Sequence, residues 1–285
     1  IMNYGKRSTS KKRNALISRT SMLEKRAHVS FIRVLFTALI AVCVMVVCLG
    51  IGSFRGVIAG APDVNDVDIS PLGYATFLYD DQGTQIRQLS APTSNRLPVS
   101  LDQIPVSLQH AVVAIEDERF YEHNGIDVRG IARAAMKAVT TGNFSEGAST
   151  ITQQLVKNMY YDQNKTFARK AAEAWTALYV ERQLSKEEIL ELYINTIYFG
   201  DGYYGLKEAS LGYFGKEPQE LTDSEAILLA GIPNAPSAYA PSRHADLALQ
   251  REKQVLAAMV KYGYLEQSET DSLLWDAAAD PVLAR

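Results

Sequence analysis

Between Arg33 and Arg55 the chain runs for 21 residues without a charge, from Val34 to Phe54 (VLFTALIAVCVMVVCLGIGSF). As a helix rising ~1.5 Å per residue this segment would be about 32 Å long, enough to cross the hydrocarbon core of a bilayer. Its flanks set a direction. Residues 1–33 hold nine of the chain's 29 Lys and Arg but only one of its 32 acids, Glu24, and Arg55 alone follows closely. The charge bias predicts a cytoplasmic tail over 1–33, a transmembrane helix over 34–54, and a remainder outside the membrane. A cleaved signal peptide is the rival reading, and Ala59-Gly60-Ala61 imitates its cleavage site. Its apolar region would hold roughly 7–15 residues near the start of the chain, and this run begins later and is longer. A basic N-terminus also suits nucleic acid, but the apolar run behind it turns the reading to a membrane, and no nucleic-acid partner is expected.

With the tail set aside, the chain is strongly acidic, although its formal net charge is only -3. At 47% hydrophobic and 21% charged residues it belongs with globular rather than disordered chains. Both cysteines, Cys43 and Cys48, lie inside the apolar run, where their spacing on a helix keeps them from pairing. The outer part must therefore be stable without disulfides, and a thiolate metal site is excluded. Residues 55–75 read as a linker. Tyr74–Leu89 alternates on both sides of Asp80-Asp81-Gln82-Gly83, a hairpin signal. From residue 100 the pattern is helical. Pro105 opens a run through Phe120, and Asp127 caps a helix that ends at Thr141 before Gly142. Ser149 or Thr150 with Gln153, Ser185 with Glu188 and Thr222 with Glu225 form capping boxes. A long helix should cover Arg169–Arg182 and a last one Asp246–Tyr262. The fold class is mainly α.

Five segments carry the chemistry. In Glu116-Asp117-Glu118-Arg119-Phe120-Tyr121-Glu122-His123, acids crowd the end of a helix, where they oppose its dipole. Such local conflicts concentrate at functional sites, although a solvated acidic helix end is the plain alternative. In Gly147-Ala148-Ser149-Thr150-Ile151-Thr152-Gln153-Gln154-Leu155-Val156-Lys157, one face is apolar. Thr150, Gln153, Gln154 and Lys157 gather opposite, beside the free N–H groups of a helix start that suit an anionic ligand. Arg169 and Lys170 lie four and three residues before Glu173 and share its side of a helix, as a surface ion pair or a phosphate site would. Two further segments, Leu184–Lys216 with Asn195 and Glu225–Ser237, read as structural helices ended by Gly and Pro turns.

In this order the five segments resemble the motifs of the family 51 glycosyltransferases, the peptidoglycan polymerases found as monofunctional enzymes and as the N-terminal module of class A penicillin-binding proteins. The resemblance covers about residues 76–260. It implies a lysozyme-like helical domain over 76–262 with a smaller membrane-proximal lobe, preceded by the transmembrane helix and the hairpin. Residues 263–285 would be an extension. It also implies a reaction: inverting polymerisation of lipid II into β-1,4-linked glycan strands outside a bacterial cell membrane, releasing undecaprenyl pyrophosphate. By this resemblance Glu116 and Glu173 are catalytic, Glu116 as the base. Thr150, Gln154, Lys157, Arg169 and Lys170 line the pyrophosphate, with Gln153 beside them, while Asp117, Phe120, His123 and Ser149 shape the cleft. Glu173 has two open roles, holding a divalent cation (Mg²⁺ or Mn²⁺) or organising the phosphate contacts. No organic cofactor is expected. Expected partners are lipid II, the lipid-linked strand, the cell membrane and other cell-wall synthesis and division proteins.

Residues 124–145 would form the membrane-touching lobe, since apolar Ile131, Met136 and Val139 mix with Arg129, Arg133 and Lys137. A core helix is the alternative. A glycan-cleaving enzyme and a non-catalytic scaffold are the rival functions. The first needs two carboxylates about 5–9.5 Å apart rather than an array of cations. The sequence contains no Lys-Thr-Gly, and Ser8-Thr9-Ser10-Lys11 lies in the tail. A complete monofunctional enzyme and a piece of a bifunctional protein both stay open.

Overall fold

In the computed structural model, residues 33–48, 52, 56, 76–82, 85–89, 96–142, 147–161 and 166–275 are described. Residues 1–59 form one unit and 60–285 a second. In the first, helix α1 covers 33–48, with its apolar side chains exposed. Among the described residues no helix is long and apolar enough to cross a membrane. Residues 1–32 of the tail, most of the 55–75 linker and most of 49–54 lie outside the described residues.

The second unit starts with an antiparallel pair, β1 (Thr76–Tyr79) and β2 (Gln85–Leu89). Thr76 faces Leu89, and the register slips between Leu78 and Tyr79. Gln82 N–H donates to Asp80 Oδ1 at 2.9 Å, the side-chain-to-backbone bond by which Asp favours a turn.

Most of the rest of the described chain is helical. Helix α2 (Val106–Glu116) buries Leu108, Ala111, Val112, Val113 and Ala114. It packs against α8 (Asp223–Gly231) and α10 (Ala245–Lys261). Helix α4 (Ile151–Tyr160) packs against α5 (Phe167–Gln183) and α6 (Lys186–Thr196). Helices α7 (Leu206–Phe214) and α9 (Pro236–Tyr239) complete the set around a single buried cluster. The local signals read from sequence are in place. Thr150, Ser185 and Thr222 each accept from the backbone three residues on, and Gln153, Glu188 and Glu225 return the bond. Each pair satisfies two helix-start donors that would otherwise be orphaned.

Helix α3 (Val128–Thr141) stands apart. Asp127 caps it by accepting from Gly130 N–H, and Gly142 ends it in the left-handed region. Of its residues only Gly130 is buried, and Val139 is 86% exposed. The core-helix reading of this segment is therefore excluded.

Asn195 supports its structural reading. Its Oδ1 accepts from Val99 N–H at 2.9 Å, and its Nδ2 donates to the carbonyls of Val99 at 2.8 Å and Glu191 at 2.9 Å. The amide imitates a strand partner and clamps the segment before α2 onto α6.

The packed body runs past residue 262 to Trp275, whose ring lies edge-on to Phe214 at 6.4 Å. Trp275 N–H lies 3.1 Å from both oxygens of the Glu252 carboxylate, which has no exposed surface. Burial pushes Glu252 up to about 7, against the opposing pull of the Trp275 N–H and Lys253. Folding thus favours its protonated form. That contribution is complete below the ordinary carboxylate value of 4.5 and is lost as pH rises through about 7. Glu252→Gln, which stays neutral and can still accept from Trp275, should gain Tm relative to wild type as pH goes from 5 to 8. Thermal unfolding across that range checks it, and a constant difference would contradict the assignment.

Candidate active site

The site is assembled where α2 ends and α4 begins. Glu116 is the last residue of α2 and Asp117 its C-cap. The buried Asp117 carboxylate accepts from Ile151 N–H, the first residue of α4, at 3.0 Å. It also faces His123 Nε2 at 2.9 and 3.0 Å. Gly125 N–H donates to His123 Nδ1 at 3.1 Å, so Nε2 carries the proton that goes to Asp117. Thr150 hydroxyl donates to Gly125 carbonyl at 2.7 Å and closes the circuit. Gly125 is required here twice over. Its φ of 91° favours glycine, and a Cβ would come within 2.8 Å of the Ala177 carbonyl.

Two cavities open on this junction, of about 670 and 450 Å³. Ser149, Gln154 and Lys157 line both, so the start of α4 forms their common wall. Glu116 lines the larger one, with Asp117, Glu118 and Arg251. Its Oε2 accepts from Gln154 Nε2 at 2.9 Å, and its Oε1 lies 3.9 Å from Arg251 Nη2.

The smaller cavity is lined by Arg96, Lys157, Arg169 and Lys170, with Tyr198 and Tyr204 alongside. Glu173 also lines it and has no exposed surface. It pairs with Arg169 through Oε1 and with Lys170 at 3.2 Å through Oε2. Lys170 Nζ donates to Ser149 Oγ at 2.7 Å. Burial lowers the Lys170 pKa, and Lys157 and Arg169 add to the effect, as expected of cations gathered without an anion of equal charge. Such a wall fits an anionic, oxygen-rich group. It does not fit a resident divalent cation. Glu173 is one carboxylate already held by two cations, and among the described residues no group of three or more His, Cys, Asp or Glu could hold a metal.

Residues 82–260, well over half of the chain, match the family model described as Transglycosylase. The chain belongs to the transglycosylase family. Penicillin-binding protein 1A of Escherichia coli (strain K12) is 40% identical over 84% of this chain and 28% of its own length. Penicillin-binding protein 1F of Bacillus subtilis (strain 168) is 44% identical over 67% of this chain and 27% of its own. This chain thus spans little more than a quarter of either relative. A Cupriavidus necator protein with a provisional transglycosylase name is 46% identical over 62% of this chain and 76% of its own length.

Of the residues singled out from sequence, Glu116, Asp117, Ser149, Thr150, Gln154 and Lys157 line the larger cavity of this transglycosylase domain. Gln153, Arg169, Lys170 and Glu173 line the smaller one. Phe120 and His123 line neither. Phe120 is fully buried under Lys186, whose Nζ lies 4.4 Å from the ring centroid, and His123 is spent on Asp117. They lie behind the cavity walls rather than on them. The buried Gln153 amide is committed to the cap of α4.

Sequence reasoning missed Arg251, Arg96 and Tyr193. Arg251 sits in a polar stretch of α10 that looks like a surface helix, and only the packing of α10 on α2 brings it to Glu116. Tyr193 donates its hydroxyl to Gln154 Oε1 at 3.2 Å from within a segment read as structural.

Glu173→Gln removes the counter-charge from two neighbouring cations. It should cost about 2–3 kcal/mol of stability, near the lower edge for breaking a buried pair because Lys170 is half-exposed. Lys170→Gln should cost less than about 1 kcal/mol. Urea unfolding of the two variants tests this ordering.

Proposed function

We propose that this chain polymerises peptidoglycan glycan strands from lipid II on the outer face of a bacterial cell membrane. The observation that carries the reading is the pairing of two cavities along one helix, with a partly buried carboxylate, Glu116, in one and a cation-rich wall in the other. An inverting transfer requires this division. A base must take the proton of the attacking hydroxyl on one side, and positive charge must receive the leaving pyrophosphate on the other.

In the proposed step the 4-hydroxyl of a GlcNAc on lipid II lies in the larger cavity and gives its proton to Glu116. Its oxygen bonds to the anomeric carbon of the donor MurNAc as the bond from that carbon to the lipid pyrophosphate breaks. The bonding pair leaves with undecaprenyl pyrophosphate, whose charge Lys157, Arg169 and Lys170 neutralise. A β-1,4 bond results. Glu173 acts as the counter-charge that holds Arg169 and Lys170 in place rather than as a metal ligand.

Supporting a membrane setting, the 34–54 run is long enough to span a bilayer with its basic flank inside, giving a single pass and a cytoplasmic N-terminus. Helix α3 adds exposed Val128, Met136 and Val139 beside Arg129 and Lys137, a pairing suited to an anionic leaflet. Other cell-wall synthesis and division proteins are natural partners of such a polymerase.

Detergent-solubilised protein incubated with lipid II, with and without Mg²⁺, should yield glycan polymer and leave purified sacculi intact. Glu116→Gln should lower turnover about 10²–10⁴-fold, the usual worth of a general base. Degradation of sacculi without consumption of lipid II would overturn the reading, as would full activity of the Glu116→Gln variant.

A further inference from the structure

The two oxygens of Glu116 have unlike surroundings. Oε2 accepts from Gln154, whereas Oε1 is buried without a hydrogen-bond partner among the described residues and faces Arg251 at 3.9 Å. A buried carboxylate oxygen without a donor costs free energy unless its free lone pair has a use.

The difference traces to Tyr193 on α6. This tyrosine has no exposed surface, and its hydroxyl spends its proton on Gln154 Oε1 at 3.2 Å. An amide has one accepting and one donating end, so a hydroxyl donated into Oε1 fixes the flip and turns the NH₂ group toward Glu116. Burial, with the charges of Glu116 and Asp117, raises the Tyr193 pKa well above its ordinary value, which keeps the hydroxyl a donor. A phenylalanine would fill the same space. The hydroxyl is what packing alone does not require.

We propose that Tyr193 is a positioning residue for the catalytic base: through Gln154 it ties down Oε2 of Glu116 and so fixes the direction of the carboxylate. The inference rests on the glycosyl-transfer reading above. In that step the proton passes from the acceptor hydroxyl to the Glu116 carboxylate, which the Gln154 N–H holds in place through Oε2.

The other charged and titratable groups facing Glu116 are Arg251, Lys261 and Tyr262 from α10, and Lys157 from α4. Asp117 and Glu118 follow it in the chain, and Asp127 and Arg133 lie across the cavity at α3. Tyr193→Phe leaves all of these in place and removes one hydroxyl.

Polymerisation of lipid II is measured for wild type, Tyr193→Phe, Gln154→Ala and the double variant, with Tm recorded for each. Tyr193→Phe should lower kcat about tenfold, the equivalent of one well-placed hydrogen bond, and change KM less than about twofold. In the Gln154→Ala background the Tyr193→Phe change should have little further effect, as nothing is left to orient. A KM effect as large as the loss in kcat, or losses from the two changes that simply add, would overturn the inference. If wild type itself makes no polymer, it is the glycosyl-transfer reading that fails. Wild-type polymerisation with losses that simply add sinks only the role of Tyr193.

Discussion

One carboxylate holds the architecture of the site together. Asp117 is nearly inaccessible, sits at the end of α2, and spends both oxygens on other elements. One bond goes to the first N–H of α4 and the others to His123, which in turn receives Gly125. A negative charge opposes the dipole at the end of one helix and favours it at the start of another. Asp117 faces both ends at once, so what is a cost for α2 becomes the bond that docks α4 beside it. The direction of Glu116, one residue earlier, follows from that docking.

The same junction separates charge. Helix α4 presents Gln154 and Lys157 to both cavities, and the cations of α5 gather on one side only. Glu173 is central to that side. Without it Arg169 and Lys170 would repel each other near Lys157, and with it they are held at the cavity wall. At the other edge the tether of α3 is electrostatic: Arg119 joins Glu118 to its N-cap Asp127, and Arg133 reaches back to Glu118. An element held by charges at one end, with apolar residues exposed along its length, can change its surroundings without disturbing the core.

What the sequence disclosed follows the range of the interactions. Capping boxes depend on residues three apart, so Thr150, Ser185 and Thr222 were readable as helix starts. The exposure of α3 was less so, because Val128, Met136 and Val139 match a core stripe as well as a surface one. Resemblance to a known family supplied most of the site, yet it did not separate residues that touch a ligand from those that brace them. Phe120 and His123, which the resemblance gives as shaping the cleft, sit in its packing and in the Asp117 network and not on the cavity walls. Arg251 and Tyr193 reach the site only through tertiary packing, and no local pattern marks them.

Gly125 carries a consequence for anyone reshaping this cleft. At that point the loop after Asp117 meets α5 backbone to backbone, close enough that a single carbon would intrude on Ala177. The separation there is set by atoms that every amino acid shares, and there is no side chain left to trim. The gap can be widened only by moving a whole helix. Around α3, by contrast, the spacing rests on long charged side chains, each of which can be shortened or exchanged. One edge of the cleft is therefore a fixed gauge and the other an adjustable jaw.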